Sequence, residues 1–291
     1  MSLQKLFVII GCITLATIGH AQHKRAFMVG ISRYDTELTG YEWNDIHGKE
    51  DVLLLSPILR KQGFVVTSIL DDKATHKNIM QSLDKFISST KKGDVVYLHF
   101  SCHGQPFEDK NGDEADGWDE SLVPIDAYKK FKKGEYEGEK HIIDDQLNAL
   151  TDKIRKKIGK KGLLYVAIDA CHAGTSSRGS DEIVRGTMTA FSSDKTKIYN
   201  PPAEKKTNYK IETNDQMSNV VFLEACRADQ VNKEIKVDGK PYGALSYNIA
   251  LTLQRCSLSV TPQQFITSLK ESMKIAGRWP NNQNMVIETS F

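Results

Sequence analysis

Five short apolar, β-branched runs recur along the chain with helical patterns between them, and this alternation restricts the fold more than any other feature. Residues 25–31, 64–70, 94–100, 162–168 and 219–226 each read as a buried strand bounded by Gly, Asp or Asn. Between them, 50–62, 76–89 and 144–158 carry helical spacing, as with Val52, Leu55, Ile58 and Leu59. The last third adds helical patterns at 244–254 and 261–276, the second opening on Thr-Pro, and a final strand at 284–288. Such alternation predicts an α/β fold with an open, mostly parallel sheet flanked by helices. With 40% apolar and 26% charged residues over 291 positions, the chain can bury a large core, and disorder is not the expectation.

The first 21 residues differ from the rest. Lys5 precedes an apolar stretch over 6–18, and Gly19-His20-Ala21 leads to Gln22, the pattern of a signal peptide cut after Ala21. The stretch falls short of the roughly 18 residues needed to span a bilayer, and Cys12 lies inside it rather than at its end, which argues against an anchor or a lipoprotein site. The expected location is secreted or periplasmic, with no membrane contact after signal removal. Residues 22–291 then form a single domain. Removing the leader takes away Lys5 and lowers the formal charge from +2 to +1, so nothing points to a nucleic-acid partner. Basic pairs such as Lys156-Lys157 read as solvated surface. Of the remaining cysteines, Cys102, Cys171, Cys226 and Cys256, at most one disulfide is compatible with a Cys171 nucleophile.

Chemistry concentrates where two of the strands end. The third runs into Ser101-Cys102-His103-Gly104 and the fourth into Asp169-Ala170-Cys171-His172-Ala173-Gly174. Carboxyl ends of parallel strands are where catalytic groups gather, and neighbouring strands lie about 4.8 Å apart, so a thiol and an imidazole can meet across a shallow cleft. A thiolate attacks carbonyl carbon and a histidine can return the proton to the leaving amine, with no cofactor required. Four zinc ligands from the two Cys-His dipeptides are disfavoured, because adjacent extended residues point to opposite faces and neither C-x-x-C nor H-x-x-x-H spacing occurs. Two polar stretches, 105–141 and 174–218, are too long for ordinary connectors.

The paired motifs, 68 residues apart from His103 to Cys171, resemble those of the metacaspases, caspase-like cysteine peptidases. Supporting runs fall in order: Asp113 to Glu120 leading to Val123-Pro124-Ile125-Asp126, then Ala225-Cys226-Arg227-Ala228-Asp229-Gln230 before Tyr242-Gly243-Ala244. The resemblance implies a caspase-haemoglobinase sheet of about six strands, with a large-subunit-like part over about 24–175, a linker over about 176–217 and a small-subunit-like part over about 218–291. It implies Cys171 as nucleophile, His103 as acid/base and an oxyanion site from the N–H groups of Gly104 and Cys171. It also implies Asp51, Ser101 and Asp169 as a pocket for Arg or Lys before the cut, so that the partner is a protein or peptide substrate with a basic residue there. Cys102 stands where the family usually has Gly, where it could crowd the site or compete as a thiol; His172 reads as structural. A monomer is expected. The alternatives are an inactive caspase-like binding module and a transpeptidase or ligase using the same Cys-His pair.

Two further expectations follow. Arg178, Arg185, Lys195, Lys197, Lys205 and Lys206 offer basic points for self-cleavage after the nucleophile. Asp119, Asp144 and Asp145 match three calcium ligands of many metacaspases, which makes calcium a candidate activator, although Arg178 stands where a fourth Asp is expected. The run 109–120 fails as an EF-hand, because Glu114 occupies the position that needs Gly.

Overall fold

A computed structural model describes residues 22–171, 182–201 and 211–291. The leader, His172, Arg178, Lys205 and Lys206 lie outside the described residues. Strands β1 (Lys24–Gly30), β2 (Phe64–Leu70), β3 (Val95–Ser101), β7 (Leu163–Asp169), β8 (Asn219–Glu224) and β11 (Val286–Thr289) form one six-stranded sheet in the order β11-β8-β7-β3-β1-β2. All neighbours are parallel except β11, which runs antiparallel on the β8 edge. This is the expected α/β sheet, with each predicted strand within a residue or two of its place.

Helices cover both faces because the central strands are apolar on both. From β3, Val96, Leu98 and Phe100 pack with Ile79 and Leu83 of α2 (His76–Ser89) and Leu147 and Ile154 of α3 (Asp144–Ile158). Val95 and Tyr97 point the other way, to Val52 and Leu55 of α1 (Gly48–Lys61), Leu245 and Ile249 of α4 (Ala244–Arg255) and Phe265 of α5 (Pro262–Met273). At about 25 cal/mol per Å² of buried apolar surface, these two layers are the main source of stability. Thr261 caps α5 in a capping box with Gln264, as its Thr-Pro opening suggested.

The stretch 105–141, read from sequence as a long loop, contains more order than that. Strands β4 (His103–Glu108), β5 (Trp118–Val123) and β6 (Ile142–Ile143) make a separate three-stranded antiparallel sheet. Neither β4 nor β5 alternates apolar with polar residues, since both are buried nearly throughout, and an acidic turn separates them. A hairpin of β9 (Glu234–Val237) and β10 (Lys240–Gly243) was likewise missed. Among the described residues no helix is long and apolar enough to cross a membrane.

Candidate active site

Strands β3 and β7 are neighbours, and their last residues, Ser101 and Asp169, are register partners. Two residues further on in each strand's path, His103 and Cys171 therefore emerge at one end of the sheet. His103 Nε2 lies 2.8 Å from the carbonyl oxygen of Asn44, which accepts its proton and fixes the tautomer. Trp43 stacks on the ring with centroids 4.8 Å apart. The other ring nitrogen, Nδ1, is buried with no hydrogen-bond partner among the described residues. Burial holds the imidazole neutral, with its pKa lowered to about 4 against the opposing pull of the Asn44 carbonyl. A neutral ring with one nitrogen anchored leaves the other, Nδ1, as the acceptor for a thiol proton, while the same burial makes it a weaker base than a free imidazole. The Cys171 thiol donates to the carbonyl of Gln230 at 2.9 Å, a contact it must release to give its proton to His103.

Part of the polar segment after Cys171 is laid across this site. Arg185 N–H donates to Asn232 O (3.0 Å) and Glu234 N–H to Ile183 O (3.0 Å), so residues 183–185 pair as a short antiparallel strand beside 232–234. The Arg185 carbonyl oxygen accepts from Cys171 N–H at 3.0 Å and Gly104 N–H at 3.2 Å. These are the two donors expected of the oxyanion site, the Cys171 contact within and the Gly104 contact just beyond the roughly 2.7–3.1 Å usual for such donors. Gly186 follows so closely that a Cβ there would lie 2.0 Å from Cys171 O. His103, Gly186 and Thr187 line the same 340 Å³ cavity.

The Arg185 side chain is fully buried among carboxylates. Its Nη1 lies 2.7 Å from Asp51 Oδ2, 2.6 Å from Ser101 Oγ and 3.5 Å from Asp169 Oδ1. All three pocket residues expected from sequence therefore converge on one guanidinium nitrogen. Asp51 sits in the first turn of α1, where a helix N-terminus favours an acid, so its local and its pocket roles coincide. Its Oδ1 accepts from Gly243 N–H (2.9 Å) and its Oδ2 from Ser101 Oγ (2.7 Å). Asp169 accepts from Ser246 N and Oγ and from Asn232 Nδ2 at 2.7–2.8 Å. Burial pushes Asp51 up to about 6, with Arg185 pulling it back down and Asp169 adding to the rise. Gly243 forms the floor, since a Cβ there would lie 2.2 Å from Asp169 Oδ2 and 2.5 Å from Arg185 Nη1.

Sequence reasoning missed Asn44, whose contribution is only a backbone carbonyl, and Glu234, which sits in an unremarkable polar run. It also left Cys102 as a competing thiol. The side chain instead packs in the α2/α3 core beside the strands, where burial raises its pKa to about 12, so Cys102 neither crowds the cleft nor competes as a nucleophile. Cys102 and His103 thus serve different environments, as the objection to zinc required. Among the described residues no disulfide joins Cys102, Cys171, Cys226 or Cys256.

The acidic loop beside β5 departs in part from the expected ligand set. Carboxylate oxygens of Asp109, Asp113 and Asp119 lie within 4.8 Å of one another. At the start of α3, Asp145 stands close enough to raise Asp119 electrostatically and Asp144 is itself raised by Asp119, while Asp145 Oδ2 accepts from Asn111 Nδ2 at 2.7 Å. Asp109 and Asp113, which are not among the three ligands expected from the resemblance, thus share a cluster with Asp119.

Residues 24–178 match the family model described as "Metacaspase, peptidase C14 domain", more than half of the chain. The chain belongs to the metacaspase family. It is 25% identical over 295 residues to Metacaspase-1 of Candida albicans, covering 86% of this chain and 61% of that protein. It is 34% identical to Metacaspase-2 of Arabidopsis thaliana, over 54% of this chain and 35% of the relative. The match thus spans about a third to three-fifths of these metacaspases' own length. The fold is also that of protein GSU0716 from Geobacter sulfurreducens, with a TM-score of 0.64, 20% identity, and 92% and 93% of the two chains covered.

Proposed function

We propose that this metacaspase-family chain is an exported cysteine endopeptidase that cuts after basic residues, and that its first cut is its own Arg185–Gly186 bond. The observation that carries the proposal is the docking of Arg185: side chain among Asp51, Ser101 and Asp169, carbonyl oxygen on the N–H groups of Cys171 and Gly104. An extended segment paired to a strand edge, with its carbonyl on two preorganised donors, is the posture of a bound substrate.

In the reaction this posture supports, the Cys171 thiol gives its proton to His103 Nδ1 and Sγ bonds to the Arg185 carbonyl carbon. Negative charge collects on the carbonyl oxygen, where the two N–H groups oppose it. The C–N bond to Gly186 then breaks as His103 returns the proton to the departing amine. Water, activated by the same imidazole, hydrolyses the thioester, leaving a carboxylate on Arg185 and a free thiol. Until the segment leaves, no other basic side chain can enter the pocket, so the intact chain restrains its activity toward other substrates.

Export rests on the leader composition of residues 1–21 and gives a secreted or periplasmic location. Calcium as an activator rests on the crowded oxygen ligands of Asp109, Asp113 and Asp119 with Asp144 beside them, a donor set suited to a hard cation. When bound, it would neutralise like charge in that loop and take no part in bond making.

Incubating the purified chain, with Cys171→Ala in parallel, tests the central claim by intact mass and N-terminal sequencing. The expected result is a new terminus at Gly186 in the active protein alone. Cleavage of basic peptides in trans while the 185–186 bond stays whole would remove self-cleavage from the proposal.

A further inference from the structure

We infer that Glu234 is a specificity-determining residue that makes the pocket select arginine over lysine, an inference that rests on the basic-residue reading above. The pocket residues expected from the sequence grip only one end of the guanidinium: Asp51, Ser101 and Asp169 all gather at Nη1. Glu234 holds the other side. Its Oε1 accepts from Arg185 Nε at 3.1 Å and lies 3.0 Å from Nη2. A lysine has no nitrogen at either place, and its single ammonium can serve the Asp51 end or Glu234 but not both.

Glu234 is built to stay in position and ionised. Its side chain is only 3% exposed, and His47 presents two nitrogens to it: the backbone N–H to Oε1 at 2.7 Å and ring Nδ1 to Oε2 at 2.6 Å. Burial would raise its pKa, but Arg185 and the His47 contacts outweigh that and leave it lowered. His47 in turn is raised by the same hydrogen bond. With lysine in the pocket, an ionised, nearly buried carboxylate would lose its guanidinium partner, and unmet charge in such a place is costly. Glu234 also opens β9, the strand that follows the segment pairing with residues 183–185, so one short stretch reads both the backbone and the side chain of the residue before the cut.

The test compares kcat/KM of the full chain on two peptides that differ only in Arg or Lys before the cut. Arg185 competes equally with both peptides, so its occupancy cancels from the ratio. The expected result is a preference for arginine of about tenfold to hundredfold, the worth of a charge-assisted hydrogen bond. Glu234→Gln should bring the arginine-to-lysine ratio of the same variant to within about threefold of one, because it removes both the guanidinium's second partner and the charge that lysine strands. Glu234→Asp, which keeps the charge but shortens its reach, should do the same and serves if the first variant folds poorly. A wild-type ratio near one, or variants that slow both peptides equally, would overturn the inference. If matched neutral or acidic peptides are cut and neither basic one is, the basic-pocket reading itself fails and this inference falls with it.

Discussion

Two clusters of carboxylates sit in this molecule, and they differ in where their counter-charge comes from. In the pocket, Asp51, Asp169 and Glu234 surround Arg185, and each also accepts N–H or O–H donors from the fold. In the loop, Asp119 is pushed up to about 7, first by burial and then by four other acids, Asp109, Asp145, Asp113 and Glu114. Asp144 goes to about 8, with burial and Asp119 as its leading causes. Asp51 is as deeply buried as any of these yet rises only to about 6, because Arg185 opposes the rise. The same residue type thus makes a cation site that the chain fills itself in one place, and a site of mutual repulsion in the other. The pocket holds the residue before the cut, whereas the loop meets the reacting groups through Trp118, which shares a small apolar cluster with Cys171.

The clusters should separate most sharply in activity. Cys171→Ala and His103→Ala are expected to lower peptide hydrolysis by about 10²–10⁴-fold or more, since attack needs the thiol and amine departure needs the imidazole. Calcium added to either variant should restore nothing, because the loop contributes no reacting group. Circular dichroism would establish that both variants fold. Substantial hydrolysis by folded Cys171→Ala would move the nucleophile elsewhere.

Removing the pocket's own cation gives the next largest effect. Arg185→Ala, made on Cys171→Ala so that no cut intervenes, leaves buried carboxylates without a partner and should destabilise the intact chain by about 3–5 kcal/mol. Urea unfolding at pH 8 would measure it. The loss should shrink at pH 5: without the arginine, Asp51 is raised further, and a proton bound in the folded state replaces the missing charge. A neutral Arg185→Ala would mean that the segment contributes nothing to the fold and that its docking is incidental.

The order in which these features could be read follows from how local their signals are. The six-stranded sheet was legible because β1, β3, β7 and β8 are apolar on both faces, and so was the placement of Cys171 and His103 just beyond strand ends. Asp51, Ser101 and Asp169 were singled out by resemblance. Strands β4 and β5 were not, because their pairing partners are separated by an acidic turn whose composition dominates the stretch. Glu234 and Asn44 act through partners 49 and 59 residues away, Arg185 and His103, and no local pattern marks them. Arg185 was visible as one of six basic candidates; that it alone occupies the pocket among the described ones depends on the path of the backbone past Gly186, where only a residue without Cβ clears Cys171.

The smallest effect lies in the acidic loop and concerns stability. Asp119 and Asp144 hold protons more tightly in the folded state than an ordinary carboxylate does in the unfolded chain. Their contribution is therefore fully present below the ordinary carboxylate range and is lost as pH rises through about 7 and 8, the values to which the two groups are pushed. Metal-free protein should accordingly melt at a lower temperature at pH 8.5 than at pH 6. Calcium competes with those protons for the same oxygens, so its stabilisation should grow with pH, reaching a few degrees in Tm at pH 8.5. Asp119→Asn removes one of the crowded charges and should flatten the pH dependence in chelator while weakening the response to calcium. Thermal melts of both proteins with chelator and with calcium, at the two pH values, provide the measurement. If calcium leaves Tm unchanged at pH 8.5, the loop relieves its repulsion by protons alone, and the activator role for calcium falls with it.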